Sequence, residues 1–148
     1  MHRARYIPSF HVRSANGEID VEIDYAVLTT ETLSTNFRLI LGEAKSHTDI
    51  KNTDGLKKVF QKFSCPTYLA FSTLKDTFSP AEAAMLRKLV DDKVPVIPMT
   101  RHDLDPYNLF KRFEKLPKNH RYGFDRFSNN LIELNLPKAQ SSSDLKST

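Results

Sequence analysis

From Glu18 onward the chain alternates acidic and apolar residues. Ile19, Val21, Ile23, Tyr25 and Val27 fall on one side of an extended strand; Glu18, Asp20, Glu22 and Asp24 fall on the other, which turns apolar at Ala26 and Leu28. The preceding stretch "IPSFHVR" alternates more loosely, and the Asn16-Gly17 pair between the two predicts a hairpin. After the polar loop "TTETLSTN", the run "FRLILGEAK" puts Leu39, Leu41, Glu43 and Lys45 on one parity and Ile40, Gly42 and Ala44 on the other. These three segments predict an antiparallel meander with its acids gathered near one end.

Beyond residue 50 the period changes. "NTDGLKKVFQKF" sets Leu56, Val59, Phe60 and Phe63 on one helical stripe, with Asn52 or Thr53 as cap and Lys57, Lys58, Gln61 and Lys62 outward. "PTYLAFSTL" reads as a buried strand. "SPAEAAMLRKLVDD" opens with a capping box, in which Ser79 caps, Pro80 takes the first helical position and Glu82 stands three residues on. "VPVIPM" is a further strand that its two prolines push to a sheet edge or make irregular. "DPYNLFKRFEKL" predicts a helix capped by Asp105. The order β-β-β-α-β-α-β-α implies an α/β fold, a mixed sheet with helices on its faces. Residues 1–117 read as the domain. Residues 118–148 read as an extension, first an aromatic segment "HRYGFDRF" that folds back over the core, then a disordered tail from Ala139.

Composition narrows the setting. The chain has 148 residues, enough for one domain, with 39% hydrophobic and 27% charged content and no apolar run long enough for a membrane span. A single cysteine, Cys65, excludes an internal disulfide, so a reducing cytoplasm is the natural setting; lying before an apolar strand, it reads as a structural thiol rather than a nucleophile. A formal charge of +4 is compatible with a polyanionic partner and requires none.

The tip of "FRLILGEAK" carries candidate chemistry. Period-two geometry puts Glu43 and Lys45 on one face with the Ala44 backbone carbonyl between them, and in-register pairing of the preceding strand brings Asp24 beside Glu43. Two carboxylates and a carbonyl are hard oxygen ligands suited to Mg²⁺ or Mn²⁺, and a neighbouring ammonium can stabilise charge on a phosphoryl oxygen. An acid-x-lysine triplet is also a common surface ion pair, so the weight lies on the combination.

An aspartate on one strand, a loop, then Glu43-Ala44-Lys45 closing the next strand after "LILG" resembles the core motif of the PD-(D/E)xK nuclease superfamily, the restriction endonuclease-like proteins. The resemblance runs from about Glu18 to Met99 and includes the element order. It implies metal-dependent hydrolysis of phosphodiester bonds, most readily in DNA. Asp24, Glu43 and Lys45 would be catalytic, and Asp24, Glu43 and the Ala44 carbonyl would hold the metal. Asp20 shares the parity of Asp24 and competes for the aspartate position; Asp24 is preferred because "YAVL" follows it directly. Ile23 stands where the name-giving proline would be, and the chain opens in strand-like sequence where members begin with a helix. That opening suits a fragment, or a domain of a larger protein; a homodimer is equally compatible.

Asp20, His47 and Gln61 are accessory candidates, and Lys57, Lys58, Lys62 and Arg101 are candidates for contacting nucleic-acid phosphates. Each has a plain alternative: a loop histidine, a solvated lysine face, a strand-end charge. The rival function is a catalytically inactive domain of the same fold serving as a nucleic-acid or protein docking module.

Overall fold

The computed structural model describes residues 2–31, 37–51, 53–118, 120–121 and 123–138. The expectations for Asn52 as a cap, for Tyr122 and for the tail from Ala139 lie outside these residues. Strands β1 (His2–Arg13), β2 (Asp20–Glu31) and β3 (Phe37–Lys45) form the antiparallel meander, and β4 (Thr67–Thr73) and β5 (Val96–Met99) extend the sheet in parallel. Order in the sheet equals order in the chain, so β3 is central and β5 lies at an edge, where its prolines cost no ladder bond. Helix α1 (Asp54–Phe60) connects β3 to β4, and α2 (Pro80–Asp91) connects β4 to β5. Helices α3 (Pro106–Glu114) and α4 (Gly123–Asn135) follow.

Both faces of the sheet are covered. On one, Leu39, Leu41, Leu69, Phe71 and Val96 pack against Leu56 and Val59 of α1 and Leu86 and Leu89 of α2. On the other, Ile40, Tyr68, Ala70 and Ile97 pack against Leu109 and Phe113 of α3 and Phe124, Phe127 and Leu131 of α4. Sandwiched between these layers, β4 is buried at every position, which is why apolar residues fill both of its faces from Tyr68 to Phe71.

The caps form as their residue types predict. The Ser79–Glu82 capping box closes reciprocally at the start of α2, and Asp105 accepts the Tyr107 amide at the start of α3. Thr53 occupies the cap position of α1 without a side-chain bond.

Four features differ from the pattern. β1 begins at His2 rather than Ile7 and β2 runs on to Glu31, because the two extensions pair with each other. Helix α1 stops at Phe60: the amides of Lys62 and Phe63 bond three residues back, which tightens the chain ahead of Pro66 and leaves Phe63 exposed off the stripe. The aromatic segment is a full helix, α4, fixed to β4 where the Tyr68 hydroxyl donates to Asp125 (2.7 Å). Burial and that bond push the Tyr68 phenol up to about 12.

The fourth difference bears on function. Ile19, Val21 and Ile23 face the α1–α2 side, but Tyr25 joins the opposite core, and Ala26 and Leu28 replace it on the first. The inward set therefore changes parity around Asp24. Register with β1 is the same on both sides of the change (Phe10 opposite Ile23, Pro8 opposite Tyr25), so no residue has been inserted. A twist of the β1–β2 ribbon, which two-stranded ribbons take more readily than sheets, accounts for the change of side without an insertion.

Candidate active site

The β2–β3 ladder ends at Tyr25 opposite Gly42. Beyond that pair β2 continues alongside β1, while Glu43, Ala44 and Lys45 continue alongside Phe71, Ser72 and Thr73 of β4. The two strands separate there and form a fork. Tyr25 lies across Gly42 toward β4, its hydroxyl 3.3 Å from Ser72 Oγ. A Cβ at position 42 would stand 2.0 Å from the tyrosine ring, so only glycine fits under it. Burial holds the Tyr25 phenol above its ordinary 10.0, against the opposing effect of the Ser72 bond, so it carries its proton at neutral pH.

Continuing the register one step places Asp24 opposite Glu43. Across the fork, Asp24 Oδ2 accepts the Ala44 amide at 2.7 Å. A strand residue directs its N–H and C=O to the same side, so the Ala44 carbonyl also faces the gap. Lys45 Nζ lies 3.2 Å from Glu43 Oε1, with the glutamate side chain 18% exposed and the lysine 34%. The fork thus gathers two carboxylates, a carbonyl and an ammonium from "EIDY" and "GEAK".

Helix α1 closes one side. A Cβ on Gly55 would come within 2.8 Å of Val21, so that glycine lets the helix start approach β2 closely. The resulting cleft encloses about 550 Å³ and is lined by Glu18, Asp20, Glu22, Asp24, Glu43 and Asp54 against only two lysines, Lys45 and Lys58. Its field favours a cation.

The other candidates are distributed unevenly. Asp20 lines the cleft but bonds Arg13 (3.2 Å), with His11 at 3.5 Å, on the ribbon itself. Lys58 lines the cleft, whereas Lys57 turns away to Asp92 at 2.8 Å and holds that carboxyl below its usual range. Lys62 and Gln61 are exposed past the end of α1, and His47 is exposed in the loop after β3. Arg101 pairs with Asp76, which His102 also approaches at 3.1 Å. Glu18 and Glu22 belong to the acids that alternation gathers on one face with Asp24, whereas nothing in the sequence pattern pointed to Asp54 as a cleft wall.

It also missed the support behind Lys45. Glu82, 1% exposed, accepts the Ile50 amide (2.8 Å), the Ser79 amide (2.8 Å) and Lys75 Nζ (2.7 Å). Lys75 also bonds Asp49, and Ser79 Oγ donates to Asp49 at 3.1 Å. This network ties the segment leaving Lys45 to the start of α2. Burial alone would raise the Glu82 carboxyl, but Lys75 and the two amides hold it below its ordinary 4.5.

No family model matches the chain, and no curated protein matches it by sequence. Among solved structures it is similar to the MspJI restriction endonuclease in complex with a 27-mer oligonucleotide, with TM-score 0.41 and 16% identity. The match covers 88% of this chain and 28% of that one, so this chain spans little more than a quarter of its neighbour's length. The site is therefore read from its own geometry. No helix among the described residues is long and apolar enough to cross a membrane.

Among the described residues no group of three or more His, Cys, Asp or Glu side chains is gathered to hold a metal ion. The fork offers two carboxylates and a backbone carbonyl. That set fits a hard divalent cation such as Mg²⁺, which takes few protein ligands and keeps several waters.

Proposed function

We propose that this chain is a divalent-metal-dependent nuclease that hydrolyses phosphodiester bonds in DNA. The observation that carries the reading is the fork: the last paired residues of β2 and β3 adjoin Asp24 and Glu43, which line one acidic cleft, with Lys45 3.2 Å from Glu43.

Asp24, Glu43 and the Ala44 carbonyl would hold Mg²⁺ or Mn²⁺, which supplies Lewis-acid charge neutralisation and acidifies a bound water. The chain's own residues do the rest. The Ala44 amide orients Asp24, so that its second oxygen is left for other partners. Glu43 aims the Lys45 ammonium along the cleft, where a compact positive charge meets charge developing on a phosphoryl oxygen. Lys58, on the far wall, is placed to meet a flanking phosphate. With six carboxylates on its walls, the cleft repels a polyanion until their charge is offset.

The test is single-turnover cleavage of labelled single- and double-stranded DNA in Mn²⁺. Wild type should cut, and Lys45→Ala should bind within a few-fold yet cut roughly a hundredfold more slowly or worse, the usual loss of one preorganised charge donor. Binding without cleavage by wild type would favour a docking module of the same fold. Cleavage that survives Lys45→Ala at full rate would leave the lysine a structural partner of Glu43.

A further inference from the structure

A second cavity of about 490 Å³ opens on the opposite face of the sheet, at the same ends of β3 and β4. Lys45 lines both it and the acidic cleft. Its walls are otherwise mostly apolar: the Tyr25 ring, Leu74, Met99 and Leu104, with the Ser72 hydroxyl at its base. We infer that this cavity receives an unstacked nucleobase from the same nucleic-acid strand whose phosphate lies at Lys45. The inference rests on the nuclease reading and adds to it a base-binding subsite.

Position is the first reason. The end of β3 divides the two cavities, with Glu43 lining one, Ala44 the other and Lys45 both, and a strand bound along one can pass round that end into the other. Chemistry is the second. The cleft carries six carboxylates on its walls and only Val21 and Leu56 as apolar side chains, whereas the cavity behind it is lined by Tyr25, Ala44, Leu74, Met99 and Leu104 with no carboxylate among its lining residues. A pocket of this kind, largely apolar with a few fixed polar groups, suits a planar heterocycle.

Tyr25 and Ser72 supply those polar groups. Their hydroxyls share one hydrogen bond at 3.3 Å, which uses one of two protons. The remaining proton and the lone pairs are left for a base edge. Leu74 (48% exposed) and Leu104 (45%) line the same cavity while half open to solvent, so together they present an apolar surface that a base can cover. Three and six residues after Leu104, α3 exposes Tyr107 (69%) and Phe110 (66%), with Lys111 Nζ 4.3 Å from the Tyr107 ring centre. Aromatic faces interleaved with a cation make a track on which further unpaired bases stack.

The experiment is an abasic scan. A short labelled single-stranded DNA is bound in Ca²⁺ and its bases are removed one position at a time, with affinity read by fluorescence anisotropy. Wild type should show one position at which base removal weakens binding roughly tenfold, in the range expected for a lost stacked base. In Leu74→Ala/Leu104→Ala, whose side chains are half exposed so that folding is preserved, that position should become equivalent to its neighbours. Binding with a flat profile in wild type, or the same peak in both proteins, overturns the base pocket and leaves the nuclease reading standing. Absence of binding to any single-stranded or duplex DNA overturns both.

Discussion

Gly42→Ala adds one methyl group at the point where the fork opens. By backbone preference alone the change should stabilise the chain, since glycine within a strand costs about 0.5–1 kcal/mol relative to alanine. The structure reverses the sign. The new Cβ would lie 2.0 Å from the Tyr25 Cζ and 2.3 Å from each Cε, all of them ring atoms that cannot bend aside. The ring must leave, at about 1–3 kcal/mol for overpacking plus about 0.5–1.5 kcal/mol for the lost Ser72 bond. Net of the backbone gain, the loss should be about 0.5–4 kcal/mol, read from the midpoint of urea unfolding. In a Tyr25→Ala background the same substitution should be neutral or mildly stabilising, giving a coupling of about 2 kcal/mol, as expected for residues in contact. Stabilisation by Gly42→Ala in the presence of Tyr25, or an equal cost in both backgrounds, would refute the packing of the tyrosine over the glycine.

Glu43→Ala should abolish Mn²⁺ binding in calorimetric titration and leave metal-free stability unchanged or slightly higher, because crowded carboxylates repel one another; unaltered affinity would remove Glu43 from the site. Lys58→Gln should reduce the slope of DNA affinity against salt by about one, whereas Lys57→Gln, whose partner is Asp92, should leave the slope alone. The Glu82 and Asp49 carboxyls are held below their ordinary 4.5 and 3.8, so their stabilisation is present above those values and lost as pH falls through the depressed ones. Asp49 owes its shift first to Lys75, which is itself raised above 10.5 by Asp49 and Glu82, so the lysine's share fades only as pH rises past that value. Thermal melts should therefore show a plateau between the two limits, and Glu82→Gln should flatten the acid limb; an unchanged limb would show that the network does not hold the loop.

Much of this was legible in the sequence because single residues dominate their surroundings. Two prolines placed β5 at an edge, Ser79-Pro80 and Asp105-Pro106 marked helix starts, and the parity of Leu39, Leu41, Glu43 and Lys45 gave the face of β3 correctly. Helix α4 was hidden by Gly123, Ser128, Asn129 and Asn130, poor helix formers that tertiary contact overrides through Phe124, Phe127 and Leu131. The change of sides between Ile23 and Tyr25 could not be read from alternation, because neither an insertion nor a break in register marks it. Lys57 looked like a companion to Lys58 until α2 brought Asp92 to it, a contact 35 residues away in the chain.

The fork also sets an order of events in folding. Every wall of the acidic cleft comes from residues between Glu18 and Lys58, so the whole reactive set is synthesised before β4. Yet past Gly42, β3 has no ladder partner in β2: Glu43 to Lys45 pair along the backbone with β4 and meet β2 through the Ala44 amide's bond to Asp24. Parallel pairing of β3 with β4 requires the crossover through α1 and is slow compared with closing a hairpin. A nascent chain therefore carries all the groups of the site before it can hold them in place, and competence waits on the seven residues of β4.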